Sequence, residues 1–117
     1  MKREFFGAHG MRGVSGRPRL DASEVYALGS ALGRRLNSVG QSGEVLIGMD
    51  TRESGPWLAA ALTAGLWREG IPARSAGLIS TPGVAWLTKS RGFAAGVMVS
   101  ASHNSFEDNG IKVIAST

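Results

Sequence analysis

The stretch "SASHNS" at residues 100–105 places serine hydroxyls, an imidazole and an amide directly after the apolar run "AAGVMV". Side chains of these types favour turns and contacts with ligands rather than the interior of a sheet. Ser102 therefore has three interpretations. It is a turn residue, a hydrolytic nucleophile, or a serine that carries a phosphate.

The nucleophile interpretation lacks its usual surroundings, because the G-x-S-x-G motif of hydrolases is absent from the sequence. A phosphate-carrying serine instead needs cations and backbone N–H donors around it. Arg12 and Lys112 are candidate counter-charges. His103 is either a general acid or base or a hydrogen-bonded loop residue, and His9, the only other histidine, is too distant in sequence to suggest a metal site.

Other polar loops accompany this one. "FFGAHGMRG" at residues 5–13 sets Gly7, Gly10 and Gly13 around Arg12, which suits close approach to a phosphate. "DTRESG" and "STPG" each follow a strand-like segment, and ligands bind at the carboxyl ends of parallel strands. Asp50 is expected to pair with Arg52 or with neighbouring loops and to hold its strand end in place.

The elements that would position these loops alternate along the chain. An amphipathic helix is predicted over 22–38, a buried strand over 44–49, and a helix after Ser54 that ends before Gly70. Strands over 71–79, 95–100 and 111–115 and a helix from Pro82 to about Ser90 complete the pattern of an α/β layer with parallel neighbours. Residues 101–110 are too few for a helical crossover, so the last strand is predicted to be antiparallel.

Composition narrows the class of protein. A chain of 117 residues with 43% hydrophobic residues fits one globular domain, and it contains no apolar run of the ~20 residues that span a bilayer. The net charge of +4 favours anionic partners, but no basic patch interleaved with aromatic residues indicates nucleic acid. The absence of cysteine and of an apolar leader agrees with a cytoplasmic protein.

Five segments together resemble the first domain of the α-D-phosphohexomutases, and within that superfamily the phosphoglucosamine mutase group. They are "FGAHGMRG", "VLIGMDTRESG", "AALTAGLWREGI", "STPGVAWLT" and "GVMVSASHNSFEDNGIKV". The resemblance implies a three-layer α/β/α fold with a four-stranded mixed sheet whose last strand is antiparallel. It also implies transfer of a phosphoryl group between O6 and O1 of a hexose, glucosamine being the expected sugar.

The resemblance further implies a role for each candidate residue. Ser102 would carry the phosphoryl group, with Arg12, His103 and Lys112 as catalytic neighbours. Lys112 or His103 would exchange the proton. The substrate and phosphate contacts would be Asn104, Gly10 and Gly13. Mg²⁺ would be bound through the phosphate of Ser102.

The chain departs from the family pattern in four places, at Ala8, His9, Met49 and Ser105. The resemblance places residues 1–117 in domain I alone, and the acidic metal loop and sugar-binding loops of domains II–IV are not among them. We therefore expect no turnover from these residues alone, a phosphosugar and domains II–IV as partners, and self-association of the isolated domain. The alternative is a non-catalytic module that binds anions.

Overall fold

A computed structural model describes residues 22–50, 55–100 and 111–115, together with the backbone of residues 11, 12 and 110. Three helices and five strands occur in this part of the chain. They are β1 (Met11–Arg12), α1 (Ala22–Ser38), β2 (Val45–Met49), α2 (Gly55–Arg68), β3 (Ala73–Leu78), α3 (Thr81–Ser90), β4 (Ala95–Ser100) and β5 (Gly110–Ala115). The helices and strands predicted from residue 22 onward are confirmed, each with bounds within about two residues.

The strands form one mixed sheet in the order β1-β5-β4-β2-β3. β2 is parallel to both β3 and β4, whereas β5 is antiparallel to β4. The predicted four-stranded mixed sheet with an antiparallel last strand is therefore confirmed. The two-residue strand β1, which the sequence did not predict, adds an antiparallel edge beside β5.

Helices α1 and α2 cover one face of the sheet. Leucines at helical spacing supply their apolar stripes, and alternate residues of the strands supply the opposing surface. The buried core on this face includes Val25, Leu28, Leu32, Leu36, Leu58, Leu62, Leu66, Val45, Ile47, Val97, Val99 and Ile111. Each such side chain contributes about 1.5–3 kcal/mol to folding through its removal from water.

Helix α3 covers the other face and completes the three layers. Val84 of this helix packs with Leu46 of β2 and Met98 of β4, and all three are buried. Ser80 is the N-cap residue of α3, since its hydroxyl accepts a hydrogen bond from the Gly83 N–H at 3.1 Å. Pro82 lies in the first turn, as predicted.

No helix in the described ranges combines the length and the apolar character that crossing a membrane requires.

Candidate functional site

The parallel strands β2, β3 and β4 end along one edge of the sheet, and backbone hydrogen bonds hold these ends together. The Ile79 N–H after β3 donates to the Met49 carbonyl at 2.9 Å. The Asp50 N–H after β2 donates to the Val99 carbonyl at 3.3 Å. We call this edge of the sheet the carboxyl edge. The segments that follow β2, β3 and β4 therefore start from strand ends that are fixed to one another.

Two helices begin at the carboxyl edge. α3 starts at Thr81, directly after its cap Ser80, and α2 starts at the buried Gly55, which packs against Met49. Unpaired N–H groups give the first turn of a helix a partial positive charge. The two helix N-termini therefore favour an anionic ligand at this edge, whereas the carboxylate of Asp50 opposes one.

A side-chain hydrogen bond also joins the ends of β2 and β4. The Ser100 hydroxyl donates to Asp50 Oδ2 at 2.7 Å, between residues that are 50 positions apart in sequence. Asp50 was predicted to pair with Arg52 or with neighbouring loops. Its contact with Ser100 is with the last residue of strand β4 and not with a loop, and Arg52 lies outside the described residues.

The segment 101–109, which contains "ASHNSFEDN", starts and ends at this same edge. Ser100 of β4 is opposite Gly110 of β5, so the two ends of the segment are adjacent backbone positions. Arg12 of β1 is opposite Gly110 on its other side. Across two strand spacings, the backbones of Arg12 and Ser100 are about 10 Å apart.

Lys112 lies two residues further along β5, where it is half-buried. It is directly opposite Met98, whose side chain packs on the α3 face of the sheet. Residues directly opposite each other, and residues two apart on one strand, have side chains on the same face. Lys112 and Ser100 are thus diagonal neighbours on that face, about 7–8 Å apart.

Arg12 and Lys112 thus lie, by backbone register, close to Gly110 and Ser100, the residues that flank positions 101–109. We call positions 101–109 the carrier segment. The remaining predicted site residues lie outside the described part of the chain: Ser102, His103, Asn104, Gly10 and Gly13. Their roles stay predictions. The same holds for a metal bound through Ser102, and the described residues contain no group of three or more His, Asp or Glu side chains arranged to hold a metal ion.

Ser100 is the residue of this edge that sequence reasoning missed. The sequence pattern identifies Ser100 only as the end of a strand, and its partner Asp50 follows a different strand. The available signal was a pair of polar residues that each come directly after an apolar strand run. Such residues meet when the two strands are parallel neighbours.

A three-layer α/β/α domain with a mostly parallel sheet belongs to the α/β class, in which ligands commonly bind at the carboxyl ends of the parallel strands. Residues 3–117 match the family described as phosphoglucomutase/phosphomannomutase, alpha/beta/alpha domain I. The chain belongs to this family.

Curated relatives carry the name phosphoglucosamine mutase. The chain is similar to that of Solibacter usitatus (strain Ellin6076), with 51% identity over 113 residues, covering 97% of this chain and 25% of the relative. It is 54% identical over 111 residues to that of Koribacter versatilis (strain Ellin345), covering 95% of this chain and 24% of the relative. The chain thus spans about a quarter of the length of the relatives it matches.

The fold is also similar to that of a solved structure. A phosphoglucomutase/phosphomannomutase family protein from Burkholderia thailandensis matches with a TM-score of 0.74 and 28% sequence identity. The match covers 99% of this chain and 27% of that protein.

Proposed function

We propose that residues 1–117 form the phosphoserine domain, domain I, of a phosphohexomutase of the phosphoglucosamine mutase type. In this proposal Ser102 carries a phosphoryl group that moves between O6 and O1 of a hexose phosphate, the expected sugar being glucosamine. One observation carries the proposal. Ser100 pairs with Gly110, so the two residues that flank the segment containing Ser102 both lie at the edge where the parallel strands end.

The reaction consists of two transfers. In the first, the bond between phosphorus and Ser102 Oγ breaks, and a new bond forms between phosphorus and a hydroxyl oxygen of the sugar phosphate. The sugar hydroxyl gives its proton to a general base, for which His103 and Lys112 are the candidates. In the second transfer, the phosphoryl group at the other end of the resulting bisphosphate returns to Ser102 Oγ, and the sugar oxygen takes back a proton.

Positive charge and positioning are the main requirements of such a transfer, because its transition state is loose and spreads negative charge over the phosphoryl oxygens. Arg12 is paired with Gly110, and Lys112 is a diagonal neighbour of Ser100, which supports the proposed role of these two cations. The N-termini of α2 and α3 lie at the same edge. These features support an anionic reaction centre here.

Magnesium enters the proposal only through the phosphate of Ser102. The described residues offer no cluster of three or more acidic or histidine side chains for a cation. No step of the reaction above is assigned to the metal. When bound, it would neutralise charge on the phosphate.

The relatives are about four times as long as the matched region. We therefore propose that the phosphosugar and domains II–IV of the parent enzyme complete the site, and that residues 1–117 alone do not interconvert hexose 6- and 1-phosphates. The alternative, a module that binds anions without transferring phosphate, shares the same fold and the same edge.

Phosphorylation of Ser102 in the parent enzyme, in which domains II–IV complete the site, separates these two functions. The parent enzyme is incubated with a hexose 1,6-bisphosphate, and the modified residue is mapped by peptide mass spectrometry. We expect phosphate on Ser102, loss of the modification in Ser102→Ala, and its retention in the matched control Ser105→Ala. Saturable binding of the bisphosphate with no phosphate on Ser102 would instead establish the anion-binding module.

A further inference from the structure

The hydrogen bond between Ser100 and Asp50 involves the residue that directly precedes the carrier segment. We propose that Asp50 is a positioning residue for Ser102, which acts by fixing the hydroxyl of Ser100 and thus the point from which residues 101–109 leave the sheet. The inference rests on the proposed function of Ser102.

Asp50 is attached to the end of β4 in two ways. Its N–H donates to the Val99 carbonyl at 3.3 Å, and its Oδ2 accepts from the Ser100 hydroxyl at 2.7 Å. Ser100 is in turn opposite Gly110, where the carrier segment ends. A single residue after β2 therefore holds the base of the segment against the neighbouring strand.

The hydrogen bond between Ser100 and Asp50 is expected to add little to the overall stability of the domain. Asp50 is exposed and Ser100 is half-buried, and the backbone pairs from Val45 to Met49 already join β2 to β4. A hydrogen bond of this kind contributes little net stability, because folding forms it in exchange for hydrogen bonds to water. Its main effect is therefore expected on the segment that follows Ser100.

The charge of Asp50 also favours a positioning role over a ligand-binding one. A carboxylate repels phosphate, so an acid at this edge weakens anion binding unless its negative charge is engaged by donors. The Ser100 hydroxyl is such a donor. We therefore expect Asp50 to act as the hydrogen-bond acceptor of Ser100 and not as a contact of the phosphoryl group.

Small displacements at this point are costly for catalysis. Ser102 is two residues beyond Ser100, at most about 7 Å along an extended chain. Reacting atoms must approach to about 3–3.5 Å, and a misplacement of about 1 Å costs on the order of 10²-fold in rate. Loosening Ser100 should therefore slow transfer to Ser102 much more than it lowers stability.

The test measures the rate of Ser102 phosphorylation by a hexose 1,6-bisphosphate, amide exchange over residues 101–109, and the melting temperature. Asp50→Ala and Ser100→Ala should each slow phosphorylation by about tenfold or more and accelerate exchange in the segment. The melting temperature should fall by less than about 5 °C. Ser100→Thr, which keeps the hydroxyl, should behave like wild type.

The double variant Asp50→Ala/Ser100→Ala should be no slower than either single variant, because both remove the same bond. Glu44→Ala is the matched control. It removes an exposed side-chain pair between β2 and β3, Arg74 Nε to Glu44 Oε1 at 3.1 Å, away from the carboxyl edge. It should change neither phosphorylation nor exchange in the segment.

A Ser100→Ala variant with the wild-type rate, or singles whose effects multiply in the double variant, would overturn the proposal. So would a slower rate accompanied by faster exchange throughout the sheet. If wild-type Ser102 is not phosphorylated, the proposed function fails, and amide exchange still decides the positioning role. Unchanged exchange over 101–109 in both single variants would then reject it.

Discussion

Gly65 of α2 lies directly against Gly29 of α1, so closely that a Cβ atom added to Gly65 would be 3.0 Å from the Gly29 Cα and 2.8 Å from the Ser30 N. The same Cβ would also meet the Tyr26 carbonyl oxygen. The two helices thus approach through backbone, and this contact sets how the α1 and α2 layer packs over the sheet.

Gly65→Ala should therefore destabilise the domain despite the better helix propensity of alanine. The methyl group has no space, and overpacking of this kind costs about 1–3 kcal/mol because α1 must shift. Urea unfolding followed by far-UV circular dichroism gives the free energy. Ala64→Gln adds more atoms on the exposed face of α2 and should change stability by less than about 0.5 kcal/mol. An unchanged midpoint in Gly65→Ala would show that the helices separate freely.

Glu69, which directly follows α2, contacts the middle of α1 through a buried hydroxyl. Ser30 Oγ donates to Glu69 Oε2 at 2.6 Å, and Arg34 Nη1 donates to Ser30 Oγ at 3.0 Å. Glu69→Ala leaves the buried Ser30 without its acceptor and should cost about 1–3 kcal/mol. Glu44→Ala, which removes an exposed pair with Arg74, should cost less than about 1 kcal/mol. Equal shifts of the urea midpoint in both variants would contradict the importance of the buried hydroxyl.

Thr88 presents the opposite situation, a buried hydroxyl without a partner. Its side chain is 0% exposed and packs against Gly96, and Oγ1 has no hydrogen-bond partner in the described part of the protein. Thr88→Val keeps the branched shape, removes the unpaired hydroxyl, and should stabilise the domain by about 1 kcal/mol.

The control for Thr88 is Thr63→Val in α2. The Thr63 hydroxyl is exposed and donates to the Ala59 carbonyl at 2.8 Å, so this variant should change stability by less than about 0.5 kcal/mol. Thermal unfolding of both variants measures the difference. A destabilised Thr88→Val protein would show that the hydroxyl makes a favourable interaction after all.

The sequence predicted the elements well because their signals are local. The stripe of Val25, Leu28, Leu32 and Leu36 predicted a helix over 22–38, and the structure has α1 at Ala22–Ser38. The short connection before β5 predicted its antiparallel direction, since too few residues are available for a crossover. These conclusions needed only spacing and residue type.

Strand pairing and contacts between residues far apart in the chain could not be predicted from local sequence patterns. β1 is two residues long, which is too short for a periodic pattern. Its partner β5 also lies almost at the other end of the chain. The contact of Asp50 with Ser100 depends on the placement of β2 beside β4, and strand order is not encoded in local pattern. The positions of Arg12 and Lys112 near the carrier segment likewise follow from register rather than from their motifs.

Variants of Lys112 test whether phosphoryl transfer needs a positive charge at this position. It is half-buried and a diagonal neighbour of Ser100, which places a cation beside the base of the carrier segment. Lys112→Met keeps most of the packing and removes the charge. It should slow phosphorylation of Ser102 by a hexose 1,6-bisphosphate by about 10²-fold or more, because transition-state charge is no longer balanced.

Lys112→Arg retains the positive charge and should keep most of the phosphorylation rate. An equal loss of rate in the Arg and Met variants would instead assign proton transfer to Lys112, because arginine cannot give up a proton. His103→Gln tests the other candidate for that proton. Arg74→Met removes an exposed cation from the opposite end of the sheet and serves as the matched control. Its phosphorylation rate should equal that of wild type. A wild-type phosphorylation rate in Lys112→Met would show that Lys112 does not act in the reaction. Arg12, which is paired with Gly110, would then be the remaining candidate cation.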